Sequence, residues 1–265
     1  MEVDRLVDGA FCWAEAGVPD VQIAKAFYSK VLGWSFEDVP LPDGGVYPMA
    51  KIGGRNVGAV FKIDPKMAPP GAPPMRPSWS NYVQVADVDA IAKRVAELGG
   101  AVIVPPMDVM EEGRMVVFAD PTGAVLSAWQ PKRHAGFGRF GDHGAPVWLE
   151  LMTKNLDASA SFYGKLFGWE ISRSKANDMP YFEVKPKGAE QAIGGMMQMD
   201  ASFKDMPSHW LPYFAVTDVK ATAAAIEANG GTVCVQPTEI PKVGTFSVVQ
   251  DPGGATFNVL QMLPM

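Results

Sequence analysis

Apolar and polar residues follow two different periods along the first part of the chain. Around Trp13 they alternate, which predicts a strand, and then Ile23, Phe27 and Val31 recur at the spacing of one helix face. Gly33 stands where this helix is expected to end, because glycine readily adopts the left-handed conformation of a C-terminal cap. Three short stretches separated by glycine and proline follow. The pattern therefore predicts a β-α-β-β-β module.

The same pattern is written a second time further along the chain. Residues 13–15 (Trp-Ala-Glu) return as residues 148–150 (Trp-Leu-Glu). The helix end Phe-Tyr-x-Lys-x-x-Gly-Trp at residues 27–34 returns at residues 162–169. An internal repeat of this length indicates the architecture before any single motif is interpreted.

A second type of helix start and turn is also duplicated. The pattern Val-x-Asp-Val occurs at residues 85–88 and 216–219, where the aspartate is a good N-cap. The turn Asp-Pro-x-Gly-Ala follows in each copy, at residues 120–124 and 251–255. Together the patterns predict four βαβββ modules, paired into two domains of an α+β fold with curved sheets around clefts.

A glycine-rich segment of mixed charge separates the two copies. Residues 132–145 contain glycine at every second or third position, and also His134 and His143. This composition is typical of a linker between domains. We therefore predict a first domain over residues 1–131 and a second over residues 146–265.

Composition and charge narrow the class of partner. A chain of 265 residues with 48% hydrophobic residues is long enough for two globular domains, each able to bury its own core. Its net charge of −6 argues against nucleic acid or an anionic membrane, since both need a basic face. Two cysteines do not make a disulfide framework, and residues 1–5 do not begin a signal peptide. We predict a cytoplasmic protein, either a monomer or a homodimer, whose partner is a small molecule.

The duplicated motifs carry a family resemblance that covers nearly the whole chain outside the linker. A strand, a Phe-Tyr-x-Lys-x-x-Gly-Trp helix end, a Val-x-Asp-Val helix and an Asp-Pro-x-Gly-Ala turn, in this order and twice, resemble the vicinal oxygen chelate superfamily. This is the group of glyoxalases, bleomycin-resistance proteins and extradiol dioxygenases. The resemblance implies a tandem glyoxalase-like protein, but the superfamily's fold alone does not determine its chemistry.

The resemblance also implies where a metal ion would be bound in enzymatic members, and those positions lack suitable side chains. Such members usually place histidine, glutamine or glutamate at three strand positions, and a divalent ion needs several such ligands around one point. Here these positions hold Trp13, Ser80 and Ser127 in the first copy, and Trp148, Leu211 and Asn258 in the second. We therefore predict no metal site and no cofactor.

Strand alternation predicts what lines the clefts instead. Glu15 and Glu150 are the candidate catalytic residues, because glutamate is seldom buried without a role or partner and a carboxylate beside tryptophan should have a raised pKa. Aromatic walls with a few polar groups are typical of a small-molecule site. Arg114 is in addition a candidate partner for Glu15. The predicted substrate-binding residues are Trp13, Trp148, Tyr82, Arg114, Trp129, His209, Tyr213 and Asn258.

Three hypotheses for the function remain open at this level. The first is a metal-independent glyoxalase-like protein that binds a small organic molecule, with or without turnover assisted by a carboxylate. The second is a metal-dependent lyase or dioxygenase with displaced ligands. The third is a non-catalytic structural or interaction protein in which Trp13 and Trp148 fill the clefts as ordinary core aromatics. Stoichiometric metal would favour the second, and an open cleft with a bound molecule would favour the first over the third.

Overall fold

Two eight-stranded sheets and four α-helices make up the computed structural model, which describes residues 2–3, 6–42, 44–64, 75–174 and 180–263. The first domain consists, in chain order, of β1 Phe11–Val18, α1 Val21–Leu32, β2 Ser35–Pro40, β3 Val46–Ile52, β4 Arg55–Lys62, β5 Ser78–Gln84, α2 Val88–Glu97, β6 Ala101–Val109, β7 Gly113–Ala119 and β8 Val125–Pro131. The second consists of β9 Pro146–Thr153, α3 Leu156–Phe167, β10 Glu170–Arg173, β11 Tyr181–Lys185, β12 Gly194–Gln198, a 3-10 turn Ala201–Phe203, β13 His209–Ala215, α4 Val219–Ala228, β14 Thr232–Ile240, β15 Gly244–Gln250 and β16 Thr256–Met262.

Each sheet has the opening strands of its two modules at the centre. The strand order is β2-β3-β4-β1-β5-β8-β7-β6 in the first sheet and β10-β11-β12-β9-β13-β16-β15-β14 in the second. β1 runs antiparallel to β5 and parallel to β4, and β9 has the same relations to β13 and β12. This topology confirms the predicted α+β fold of four βαβββ modules in two tandem domains.

The first turn and the ends of the helices follow the sequence signals. The Asp20 carboxylate accepts hydrogen bonds of 2.8 and 3.1 Å from the backbone N–H groups of Gln22 and Ile23, and so caps α1. Gly33 ends α1 at φ +71° and Gly168 ends α3 at φ +70°. Both values lie in the left-handed region, where glycine carries no steric cost from a Cβ atom.

A β-bulge in β1 changes the face on which its first residue lies. The register with β5 pairs Phe11 with Val83 but Trp13 with Tyr82, so Cys12 is the extra residue. Simple alternation would place Phe11 on the same face as Trp13, whereas the bulge turns it to the other face. Phe11 instead packs edge-on against tryptophan rings of the second domain, while Trp13 stays on the opposite, cleft-bearing face.

The helical faces of the two sheets share their cores across the domains. The prediction that each domain buries a core of its own is therefore only partly right. One core joins α1 of the first domain to β13, α4 and β16 of the second through the buried side chains of Phe27, Tyr28, Phe214, Ile226 and Phe257. Its counterpart joins α3 of the second domain to β5, α2 and β7 of the first. Each core therefore contains side chains from both domains, in a reciprocal arrangement.

The duplicated Asp-Pro turns connect the domains by hydrogen bonds. Asp120 Oδ1 accepts from the backbone N–H of Ala124 within its own turn, at 3.0 Å, while its Oδ2 accepts from the Ser159 hydroxyl of α3 at 2.9 Å. In the counterpart, Asp251 Oδ2 accepts from the Tyr28 hydroxyl of α1 at 2.9 Å. The motif that marks a turn in the sequence is therefore also part of the interface between the domains.

Two tryptophans at the helix ends complete this reciprocal interface. The Trp34 Nε1–H donates to the Gly144 carbonyl at 2.8 Å, and the Trp169 Nε1–H donates to the Gly9 carbonyl at 2.7 Å. Both glycines have positive φ, +75° at Gly144 and +83° at Gly9. Each domain therefore receives a buried indole from the other at the residue that leads into its central strand.

The helices are short. The longest, α1 and α3, have 12 residues each. None of the helices in the described part of the chain is long and apolar enough to cross a membrane.

Candidate functional site

A hydrogen-bonded chain of four side chains lies on the cleft face of the first sheet. Tyr82 of β5 donates its hydroxyl to Glu15 Oε1 at 2.6 Å, and Tyr47 of β3 donates its hydroxyl to Glu15 Oε2. The Trp13 Nε1–H in turn donates to the Tyr47 hydroxyl at 3.0 Å. Both oxygens of the carboxylate are thus held by phenols, and one phenol is held by an indole.

The second domain repeats this arrangement residue for residue. Tyr181 of β11 donates to Glu150 Oε2 at 2.9 Å, and Tyr213 of β13 donates to Glu150 Oε1 at 3.0 Å. The Trp148 Nε1–H donates to the Tyr181 hydroxyl at 2.9 Å. We call each set of four side chains an indole-phenol-carboxylate network. Two copies with the same donors and acceptors define the strongest candidate site in each domain.

The central strands explain how these side chains meet. β1 and β5 pair Trp13 with Tyr82 and Glu15 with Ser80, so indole, carboxylate and phenol share one face. The register of β9 and β13 gives the same result in the second domain. The residues that sequence reasoning missed are Tyr47 and its counterpart Tyr181. The signal available in the sequence was that each tyrosine is next to a proline. Tyr47 lies in β3, the strand before β4, and Tyr181 lies in β11, the strand before β12. β4 and β12 are the parallel partners of β1 and β9.

Burial changes the acidity of every group in the networks. It raises the pKa of Glu15 above its ordinary value, and the hydrogen bonds from Tyr47 and Tyr82 lower that pKa without cancelling the effect. Burial likewise raises the pKa of Glu150 against the effect of its two tyrosines. Burial is the main cause that raises the pKa of each tyrosine well above its ordinary value, and the charge of the neighbouring carboxylate is the second. The phenols therefore remain protonated donors.

The raised carboxyl pKa values lead to a prediction about stability. A glutamate whose pKa is higher in the folded chain than in the unfolded chain stabilises the fold at low pH, and this contribution is lost as the pH rises through the folded pKa. Glutamine does not titrate, so Glu15→Gln and Glu150→Gln lack this effect. Relative to these variants, the free energy of unfolding of the native protein should therefore fall as the pH rises above 4.5.

Urea unfolding of the native protein and both variants over a series of pH values measures this difference. The double variant is the control, because the two carboxylates lie in separate clefts and their effects should add. A difference in unfolding free energy that stays constant with pH would contradict the raised pKa values.

The donor chemistry of the clefts does not fit the metal site that the resemblance implies. Each network offers one carboxylate, already hydrogen-bonded at both oxygens, and aromatic groups that do not bind hard divalent ions. Across the described ranges, no group of three or more histidine, cysteine, aspartate or glutamate side chains is placed to hold a metal ion.

One predicted site residue lies elsewhere. Arg114 forms hydrogen bonds of 2.8 and 2.9 Å with Asp89 of α2, and an ion pair of 3.5 Å with Asp108. It alternates along β7 with the same phase as Val116 and Phe118, whose side chains belong to the shared core on the helix face. The prediction that Arg114 pairs with Glu15 is wrong, because a closer carboxylate on α2 binds the guanidinium.

The other predicted residues lie on the cleft faces. Trp129 is buried in the first cleft, with its ring centre 6.3 Å from that of Tyr82. In the second cleft Asn258 pairs in register with Tyr213, and His209 lies half-buried further along β13. Burial lowers the pKa of His209, whose Nδ1 lies 2.7 Å from a backbone carbonyl. Their roles in binding remain predictions.

The segment predicted as a linker packs over the first cleft. The His134 ring lies edge-on to Trp13, with 4.3 Å between ring centres, and Phe137 packs on the same indole at 5.6 Å. The Trp129 Nε1–H donates to the His134 carbonyl at 2.9 Å. Burial lowers the pKa of His134 to about 4, so its imidazole is neutral at physiological pH.

Comparison with known proteins identifies the class to which this architecture belongs. A family model described as the Glyoxalase/Bleomycin resistance protein/Dioxygenase superfamily matches residues 11–127 and 145–259. The two matches correspond to the two sheets, and the chain belongs to this superfamily.

Individual relatives share the whole two-domain chain. The sequence is 40% identical over 255 residues to "Putative glyoxylase CFP32" of Mycobacterium tuberculosis, which covers 95% of this chain and 94% of the relative. It is 33% identical over 267 residues to "Anthracycline biosynthesis protein DnrV" of Streptomyces peucetius, with 97% and 95% covered.

Solved structures support the fold. The Mn(II)-bound glyoxalase from Novosphingobium aromaticivorans matches with a TM-score of 0.65 and 17% identity, over 97% of this chain and 83% of that one. The 2,3-dioxygenase LapB from Pseudomonas sp. KL28 matches with a TM-score of 0.62 and 17% identity, over 97% and 93%. At this level of identity the likeness extends to the fold alone.

Proposed function

We propose that the protein binds a planar, partly apolar organic molecule in an aromatic-lined cleft, without a metal ion. The duplicated indole-phenol-carboxylate network carries this proposal. In it, apolar ring faces surround a small number of fixed polar groups, which is the usual composition of a small-molecule site. Indole and phenol rings also favour flat partners, because offset stacking adds to the free energy gained by burying their area.

One relative indicates the class of molecule. The Streptomyces peucetius protein is named for anthracycline biosynthesis, and anthracyclines contain a planar polycyclic quinone with phenolic hydroxyl groups. A flat ring system with hydrogen-bonding groups at its edge suits a site of tryptophan, tyrosine and one carboxylate. We therefore take hydroxylated polycyclic aromatics as the ligand class.

The carboxylate gives the cleft one group suited to proton transfer. Glu150 has a pKa raised by burial, which brings it nearer to the range in which a general acid or base is effective. Its two oxygens are held at fixed positions by Tyr181 and Tyr213. Turnover, if the ligand is a substrate, would rest on Glu150 holding or accepting a proton while the phenols fix its orientation.

Titration of the protein with 2-hydroxyanthraquinone, followed by quenching of tryptophan fluorescence, tests this function. We expect saturable quenching with a Kd in the micromolar range, and about 30-fold weaker binding for Trp148→Ala, the loss typical of a central aromatic contact. Naphthalene-2-sulfonate, a smaller and permanently charged ring system, is the control for non-specific quenching. Quenching that does not saturate, or that is unchanged in Trp148→Ala, would contradict the proposal.

A further inference from the structure

The two clefts differ in what covers them, although their networks match. In the first cleft Trp13 is only 5% exposed, beneath His134 and Phe137 of the segment 132–145. The Phe137 N–H donates to the Cys12 carbonyl of the bulge at 2.8 Å, which fixes the segment on β1. The chain itself therefore occupies the position where a planar ligand would stack on Trp13.

The described residues cover the second cleft less closely, although Phe140 of the same segment lies near Trp148. Trp148 is half-buried, and no aromatic ring in the described ranges packs on its indole in the way His134 and Phe137 pack on Trp13.

A buried polar atom in the second cleft has no partner. Asn258 is 1% exposed, and its Oδ1 accepts no hydrogen bond from any described residue. Its neighbours Phe257 and Val259 belong to the shared core on the helix side, so alternation directs Asn258 to the cleft, beside Tyr213. A buried acceptor without a donor is costly, and a bound donor would remove that cost.

The first cleft lacks this atom. The residue at the same place in β8 is Ser127, which pairs in register with Tyr82. The chain itself thus covers the first cleft, and the buried atom without a partner there, His134 Nε2, belongs to that cover. In the less closely covered second cleft the unsatisfied acceptor lies on a strand of the sheet. This difference between two otherwise matching sites distinguishes a ligand site from a structural copy of it.

We propose that the chain binds one ligand, in the second cleft, and that Asn258 Oδ1 accepts a hydrogen bond from a hydroxyl or amine of that ligand. This inference rests on the function proposed above and makes it more specific. The ligand class becomes planar molecules with a hydrogen-bond donor at the edge, positioned between the Trp148 indole and the Asn258 amide.

Matched probes test the donor requirement in the native protein. Titration calorimetry with 2-hydroxyanthraquinone and 2-methoxyanthraquinone should give one molecule bound per chain and about tenfold tighter binding of the hydroxyl compound, the value of one neutral hydrogen bond. Asn258→Ser, which installs the residue of the first domain, should reduce this preference to less than twofold. Ser127→Ala, the matched change in the first cleft, should leave the preference at tenfold.

The outcomes separate this inference from the proposed function. Equal binding of both probes, two molecules per chain, or an unchanged preference in Asn258→Ser would overturn the inference while leaving a ligand-binding cleft. Absence of saturable binding by either probe would overturn both. Circular dichroism of Asn258→Ser establishes that it is folded, and the comparison of the two probes on the native chain does not depend on that variant.

Discussion

Trp13→Ala is expected to lower the free energy of unfolding by about 3–5 kcal/mol, the usual cost of removing a buried aromatic side chain. Trp13 is 5% exposed and packs against His134, Phe137 and the network phenol Tyr47. Its removal would leave a cavity beneath the segment 132–145 and would release that segment from β1. The loss therefore combines burial, ring contacts and one hydrogen bond.

The matched change is Trp148→Ala, at the same place in the second network. Trp148 is half-buried, without a ring packed on it from the described part of the chain, so we expect a smaller cost of about 1–2 kcal/mol. Urea denaturation of both variants at one pH measures the difference. Equal losses would show that the two indoles are packed alike and would count against the inequality of the clefts.

Gly144→Ala is expected to destabilise the protein by about 3 kcal/mol or more, because two costs combine there. Gly144 has φ +75°, which alanine adopts with strain, and an added Cβ would lie 2.1 Å from the Leu32 backbone carbonyl. The resulting displacement would weaken the Trp34 hydrogen bond to Gly144 and the bond of 2.7 Å from the Gly144 N–H to Ala215. The first bond joins the two domains, and the second holds Gly144 on β13 of the second domain.

Gly141→Ala is the control for this prediction. Gly141 lies in the same segment at φ +77°, but an added Cβ would meet no atom within 4 Å. It should show only the conformational cost of about 1–2 kcal/mol for a left-handed alanine. Thermal and urea unfolding of both variants give the comparison. If both substitutions lower the free energy of unfolding equally, the close approach of Gly144 to α1 does not contribute to stability.

Periodicity and repetition were sufficient to predict the architecture. The duplicated Trp-x-Glu strands, helix ends and Asp-Pro turns each report on local geometry, and local geometry is what spacing encodes. The bulge at Cys12 was not predicted, because the sequence of β1 still shows an alternating pattern when it contains one extra residue. That residue nevertheless reverses the face on which Phe11 lies. Such insertions are decided by pairing with a partner strand.

The candidate site was predictable only in part, for a related reason. Trp13, Glu15 and Tyr82 lie on adjacent strands whose register follows from alternation, so their meeting could be expected. Tyr47 reaches Glu15 from β3, across β4, and no sequence pattern states how far a phenol extends across a curved sheet. Arg114 was misplaced because a long flexible side chain binds the nearest carboxylate, which is on α2.

The reciprocal interface has a consequence for the order in which the chain acquires its structure. Tyr28 of α1 is bonded to Asp251, a partner 223 residues away. During synthesis the part of α1 that packs on Phe257 of β16 therefore stays exposed until nearly the whole polypeptide has been made. The first sheet is likewise made before α3, which contributes to its core. Folding of the interface between the domains is completed only when β16 has left the ribosome.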